Sequence, residues 1–218
     1  SGERAVEHTF WLTAGHPREP GVWYAGTAPH GIFRSEDEGE TWTGVSGFND
    51  HAEWPKIRGN PTEQAPDSPN THSIRIDPRE AKHIYVAFSG GGIYESKDRG
   101  VTWNPLNSGM ATVFPLDQYP YAHDPHCVTI SPANPDRLYQ QNHCGIYRVD
   151  RPATKWIRIG DNMPKAIGDI GFAITAHPRD ADTAWVFPMD GTEVWPRTSP
   201  GGKPAFYKTT DAGKSWKR

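Results

Sequence analysis

Two short stretches hold the side chains most able to do chemistry, YAHDPHC at 121–127 and QQNHCG at 140–145. Between them they carry His123, Asp124, His126, Cys127, Asn142, His143 and Cys144. Imidazole and thiolate donors suit zinc or copper, and His126, Cys127, His143 and Cys144, drawn from two loops, would supply three or four ligands. The spacing follows no known metal-site pattern. Three other readings therefore stand beside it. Cys127 and Cys144 can be small buried apolar residues, with His126 bonded to a strand end. They can form a disulfide. Or His123, Asn142, His126 and His143 can make polar contacts to a substrate. The sequence calls for no cofactor: SGGGIY at 89–94 is rich in glycine but lacks the lysine and the helix of a phosphate loop.

Such residues need a scaffold, and composition limits which one. The chain has 218 residues, with 35% hydrophobic residues, 22 Gly and 21 Pro. That glycine and proline content favours many short strands over helices. Core area must come mostly from 9 Trp, 8 Tyr and 8 Phe. A net charge of −3 provides no basic stripe for a phosphate backbone, so nucleic acid is not an expected partner. Apolar runs are a few residues long, so no membrane span is expected. Residues 1–15 show no secretion signal, which favours the cytoplasm. Two cysteines leave the redox compartment open.

Repetition fixes the architecture. FRSEDEGETW at 33–42, YESKDRGVTW at 94–103 and YKTTDAGKSW at 207–216 share the pattern Ser/Thr-x-Asp-x-Gly-x-x-Trp. The pattern comprises Ser35, Asp37, Gly39 and Trp42; Ser96, Asp98, Gly100 and Trp103; and Thr209, Asp211, Gly213 and Trp216. Upstream of each, a strand, a proline-containing turn and a second strand recur, with the first prolines at Pro17, Pro78, Pro132 and Pro178. From proline to the closing tryptophan (Trp42, Trp103, Trp156, Trp216) the distance is 25, 25, 24 and 38 residues. Four units are present, and the last carries an insertion. Alternation such as Ile74 and Ile76 against Arg75 and Asp77 identifies strands. Each unit reads as a four-stranded antiparallel meander, and sheets of that size bury both faces by stacking radially as propeller blades. The expectation is an all-β fold, a β-propeller with blades at about 8–48, 72–107, 126–160 and 169–218. An open ring would expose sheet edges, so one domain truncated at both ends, a fragment of a six- to eight-bladed ring, is expected. Within the repeated box the aspartate caps its own turn, the glycine supplies conformational freedom and the tryptophan folds back as a plug.

These boxes resemble the Asp-box, or BNR, repeat of propellers such as sialidases, sortilin-type domains and bacterial glycosyl-hydrolase-like proteins. The third copy, VDRPATKW at 149–156, lacks the Ser and Gly positions. The resemblance implies a propeller that acts on or binds carbohydrate, or alternatively a non-catalytic scaffold that docks a protein or glycan, as sortilin-type and photosystem-assembly propellers do. Sialidase chemistry is not expected, because IFRSED at 32–37 runs into a box where that family has Phe/Tyr-Arg-Ile-Pro.

In such a blade the second turn and the link to the next blade share one end of the sheet. Here those segments are the long ones, and long loops on a rigid scaffold are where function usually sits. If the protein is a glycoside hydrolase, it needs two carboxyl groups about 5–9.5 Å apart. Asp50, Glu53, Asp117, Asp124, Asp169, Asp190 and Glu193 lie in these loops. Asp169 and Asp190 are the pair expected at the inner rim, with Asp124 a third candidate. Glu193 and Trp195 are candidate substrate contacts, and Trp54, Tyr119 and Tyr121 are further rings that a sugar could stack on. Solvated or turn-capping carboxylates, and tryptophans that simply pack, are the competing readings.

Overall fold

The computed structural model describes residues 6–54, 70–113, 115–117, 122–190 and 198–218. The chain forms two compact units, Ser1–Pro105 and Leu106–Arg218, each containing two antiparallel sheets whose strands pair in chain order. In the first unit, β1 (His8–Ala14), β2 (Trp23–Ala28), β3 (Gly31–Ser35) and β4 (Thr43–Gly44) make one sheet. After the single-turn helix α1 (Ser46–Asn49) come β5 (Thr71–Asp77), β6 (Glu80–Phe88), β7 (Gly92–Ser96) and β8 (Asn104–Pro105). In the second unit the sheets are β9 (Pro125–Ser131), β10 (Asn134–Asn142), β11 (Gly145–Asp150) and β12 (Ile157–Arg158), then β13 (Gly171–His177), β14 (Asp180–Pro188) and β15 (Tyr207–Thr209). In this last sheet the fourth position is a backbone pair, Lys208 with Lys217, bonded at 2.7 and 2.9 Å.

Burial explains why the strands are so apolar. Ile84 to Phe88 of β6 are buried without interruption, so both faces of that strand are covered. On one side the sheets of the first unit meet at a glycine: a Cβ at Gly26 would lie 2.7 Å from Cγ2 of Thr71, so a larger residue would push β2 off β5. Thr71 Oγ1 also donates to the Gly31 carbonyl and accepts from its N–H, both at 3.1 Å. Phe48 of α1 inserts beside Trp54, Phe88 and Trp103, with ring centroids 5.1, 5.3 and 5.4 Å away. In the second unit Tyr139, Ile146, Ile174, Val186 and Trp216 share one buried cluster.

The charged turns close on themselves as expected. Asp98 accepts from the Thr102 N–H at 2.8 Å, from its hydroxyl at 2.6 Å and from the Ser96 hydroxyl at 2.8 Å. The Gly100 N–H donates to Ser96 Oγ at 2.7 Å. Arg99 and Gly100 both have positive φ, 64° and 87°, so the turn needs two consecutive left-handed residues and tolerates a side chain at only the first. Asp37 and Asp211 repeat the geometry with Thr41 and Ser215. The tryptophans fold back: Trp103 Nε1 donates to Gly100 O at 3.0 Å, and Trp216 Nε1 to Ile159 O at 3.1 Å. Trp42 bonds its own turn through Gly39 O as Trp103 does, yet stays 38% exposed, so it plugs less than its counterparts. In the divergent third copy, Asp150 receives Arg137 at 2.5 Å and Arg148 at 3.2 Å, so side-chain ion pairs stand where the other turns use amides.

One feature went unforeseen. Each first strand carries one extra residue near its start: Phe10 between the pairs Thr9–Thr27 and Trp11–Gly26, His72 between Thr71–Phe88 and Ser73–Ala87, His126 between Pro125–Asn142 and Cys127–Gln141, and one of Phe172 and Ala173 in β13. Such bulges re-aim a side chain. In the first three repeats the extra residue is an aromatic or imidazole ring, and within a unit neighbouring rings touch. Phe10 meets His72 edge-on at 4.7 Å, and His126 stacks on Phe172 at 4.2 Å and 14°.

Candidate functional site

The start of each first strand, the end of the second and the turn into the third lie at one end of each sheet, because Pro125 pairs with Asn142 and Gly171 with Pro188. In the second unit this end gathers most of the residues singled out in the sequence. The His143 N–H donates to the Asp124 carbonyl at 2.9 Å, tying the β10–β11 turn to the segment entering β9. Asp124 Oδ2 then lies 3.3 Å from His126 Nε2 and 3.4 Å from His143 Nδ1. His126 is anchored on its other side by Nδ1, 2.7 Å from the Gly171 carbonyl.

The two cysteines separate. Both are free thiols, so no disulfide joins them. Cys127 enters the apolar cluster with Tyr139 and Ile174, whereas His126 turns its ring towards Asp124 and the Gly171 carbonyl. Of the possible cluster His126, Cys127, His143 and Cys144, only the two histidines converge, joined by Asp124, with donor atoms within 4.8 Å of one another. Cys144 is half-buried at the turn, and its thiol is pushed up first by burial and then by the neighbouring Asp124 and Asp169 charges. Asn142 is a turn residue, its Oδ1 accepting the Cys144 N–H at 2.9 Å. His123 is buried and held towards its neutral form by that burial.

Asp169 occupies the opening of β13. Its Oδ2 accepts from Arg158 Nη2 at 2.8 Å and Nε at 3.1 Å. Gly160 makes room for it: a Cβ there would lie 2.7 Å from Asp169 Cβ and nearer still to the carboxylate. Gln141 joins this group to the other, donating from Nε2 to the carbonyls of Asp169, Asn142 and Gly145 at 2.8, 3.1 and 3.3 Å. Asp190 follows the end of β14, and the Met189 N–H donates to the Ile170 carbonyl at 2.8 Å, so Asp169 and Asp190 flank one pair of bonded backbones. Glu193, Trp195, Tyr119 and Tyr121 lie outside the described residues. Trp54 is fully buried, ringed by His51, Phe88, Phe48 and Tyr94 at 4.3–5.2 Å, and is a core residue instead of a stacking platform. The rings exposed at this end are those of Phe10 and Phe172, at 41% and 37%. Only a prediction of cross-strand register would have found them. No helix among the described residues is long and apolar enough to cross a membrane.

No protein-family model matches the chain. It is 23% identical over 222 residues to the oligoxyloglucan-reducing end-specific xyloglucanase of Emericella nidulans, a match covering 89% of this chain and 25% of that enzyme. It is 24% identical over 213 residues to a probable enzyme of the same name from Neosartorya fischeri, covering 93% of this chain and 22% of the other. The chain thus spans about a quarter of the length of the curated relatives it matches. Among solved structures, an ancestral GH74 enzyme aligns with TM-score 0.69 and 15% identity over 99% of this chain and 26% of its own. The GH74 xyloglucanase of Xanthomonas campestris aligns with TM-score 0.67 and 18% identity over 94% and 29%. YCF48 from Cyanidioschyzon merolae aligns with TM-score 0.52 and 12% identity over 99% and 57%. At these identities the structural likeness speaks for the fold: the chain is built of β-propeller blades, and its similar proteins are xyloglucanases and other propellers.

Proposed function

We propose that this chain is part of a carbohydrate-acting propeller of glycosyl-hydrolase type, whose substrate class is a xyloglucan-like β-glucan. The observation that carries the reading is the similarity to xyloglucanases, which runs through nearly the whole chain, beyond the recurring acidic turns. The acidic turns are, in this reading, Asp-boxes of the BNR kind, structural staples away from the chemistry. Asp169 and Asp190 are the acid–base pair. Asp169, fixed by its two contacts with Arg158, and Asp190 supply the two carboxyl groups that glycoside hydrolysis needs. Phe172, with His126 stacked behind it, offers a face on which a pyranose ring can rest.

A second reading, a propeller that docks a glycan or protein without turnover, is favoured by the same Arg158 contact, since an ion-paired Asp169 can equally be a structural residue. Incubating the full-length protein with xyloglucan, its oligosaccharides, cellulose and xylan separates the two. Reducing ends released from xyloglucan support the hydrolase. Saturable binding without release supports the docking module, and neither binding nor release contradicts the carbohydrate reading.

A further inference from the structure

We propose that Asp124, His126 and His143 form a binding site for a borderline divalent metal ion, zinc above all. The proposal stands independently of the glycosidase reading. It begins with the tautomer of His126. A carbonyl oxygen only accepts, so the 2.7 Å contact with Gly171 O places the proton on Nδ1. In the neutral tautomer the lone pair is then on Nε2, the nitrogen that faces Asp124. Fixing one ring nitrogen by a backbone carbonyl while the other faces the ion is the usual outer-shell arrangement of a histidine ligand.

The distances carry the next step. If Nε2 of His126 and Nδ1 of His143 were charge-assisted donors to Asp124, separations of about 2.7–2.9 Å would be expected. They are 3.3 and 3.4 Å, both to the same oxygen, Oδ2. Adjacent ligand atoms of a tetrahedral zinc site with bonds of about 2.0–2.1 Å are separated by about 3.3–3.4 Å. The third donor pair also falls within 4.8 Å. One carboxylate oxygen and two imidazole nitrogens, with two of the three pairs at the edge length of a coordination tetrahedron, are a donor set that zinc favours, with a fourth position left for solvent.

The site is also prepared and reachable. His126 is held by its carbonyl and by Phe172, stacked at 4.2 Å, and the Asp124 and His143 backbones are joined by a 2.9 Å hydrogen bond. Little ordering remains to be done on binding. The His126 side chain is 4% exposed, whereas those of Asp124 and His143 are 25% and 28% exposed, so an ion can enter from the solvent side and keep a water.

The test uses untagged full-length protein stripped with chelator. Zinc chloride is titrated by calorimetry and cobalt(II) chloride by visible absorption. One zinc per chain is expected, with a tetrahedral-type cobalt band that zinc displaces. Asp124→Asn and the partly exposed His143→Gln should each weaken zinc binding at least tenfold at unchanged circular dichroism, and His177→Gln, away from the cluster, should not. Absence of zinc binding, or equal binding by Asp124→Asn, His143→Gln and the parent, would overturn the proposal.

Discussion

Arg158 places two of its N–H donors on a single oxygen of Asp169, at 2.8 and 3.1 Å, and the space for that contact exists because position 160 is glycine. The pair joins the end of β12 to the opening of β13, so the carboxylate proposed for chemistry is set by residues of the preceding sheet.

Arg158→Gln should therefore alter function more than stability. The guanidinium is 38% exposed, so the ion pair itself contributes no more than about 1 kcal/mol. Urea unfolding should show a loss of that size or less, while any turnover that depends on Asp169 falls substantially. Gly160→Ala should do the same through geometry, since its Cβ would overlap the Asp169 side chain. Equal loss of stability and turnover in both variants would argue for a purely structural contact.

Acid should weaken the fold through its turns. Hydrogen bonds from Thr41 and Ser35 hold Asp37 down from 3.8 to about 2, and those from Ser215 and Thr209 do the same for Asp211. Asp98 is lowered by the Thr102 contacts. A carboxyl with a depressed folded-state value stabilises the fold above its unfolded value and loses that contribution as pH falls through the folded one. Stability measured by denaturant unfolding should decline between about pH 4 and pH 2, and Asp37→Ala or Asp211→Ala should flatten the decline.

Ser96→Ala isolates a different contribution. Ser96 is fully buried and its hydroxyl accepts the buried Gly100 N–H. Leaving that donor without a partner costs about 1–3 kcal/mol. Thermal unfolding should register it as a drop of about 2–12 °C for a chain of this size.

Trp54→Ala should cost about 3–5 kcal/mol, the usual penalty for emptying a core site of that size. Sugar affinity should be unaffected under conditions where the variant remains folded. A specific loss of carbohydrate binding with stability intact would return Trp54 to the list of platforms.

How far the sequence revealed this molecule depended on the range of the interactions. The strands and the acidic turns were legible because period-2 alternation and a hydrogen-bonded Ser-x-Asp-x-Gly turn are local: Ser96, Asp98 and Gly100 meet within five residues. The meeting of Asp124, His126 and His143 was half legible. Their two loops are recognisable as neighbours from sequence, but that Cys127 belongs to the apolar cluster and not with His126 is settled only by the packing of Tyr139 and Ile174. The bulges at Phe10, His72 and His126 were not legible, since an extra residue is defined only against the partner strand's register. Trp54 misled because a tryptophan between polar residues reads as a surface ring until Phe48 and Phe88 are known to enclose it.

In the proposed function Asp169 and Asp190, at the opening of the last sheet, act on a sugar. The most direct measurement of this is the rate of reducing-end release from xyloglucan oligosaccharides by the full-length protein, compared with Asp169→Asn and Asp190→Asn. The account predicts release by the parent and a loss of about 10²–10⁴-fold in each variant at unchanged circular dichroism. Release at the parent rate by both folded variants would contradict it.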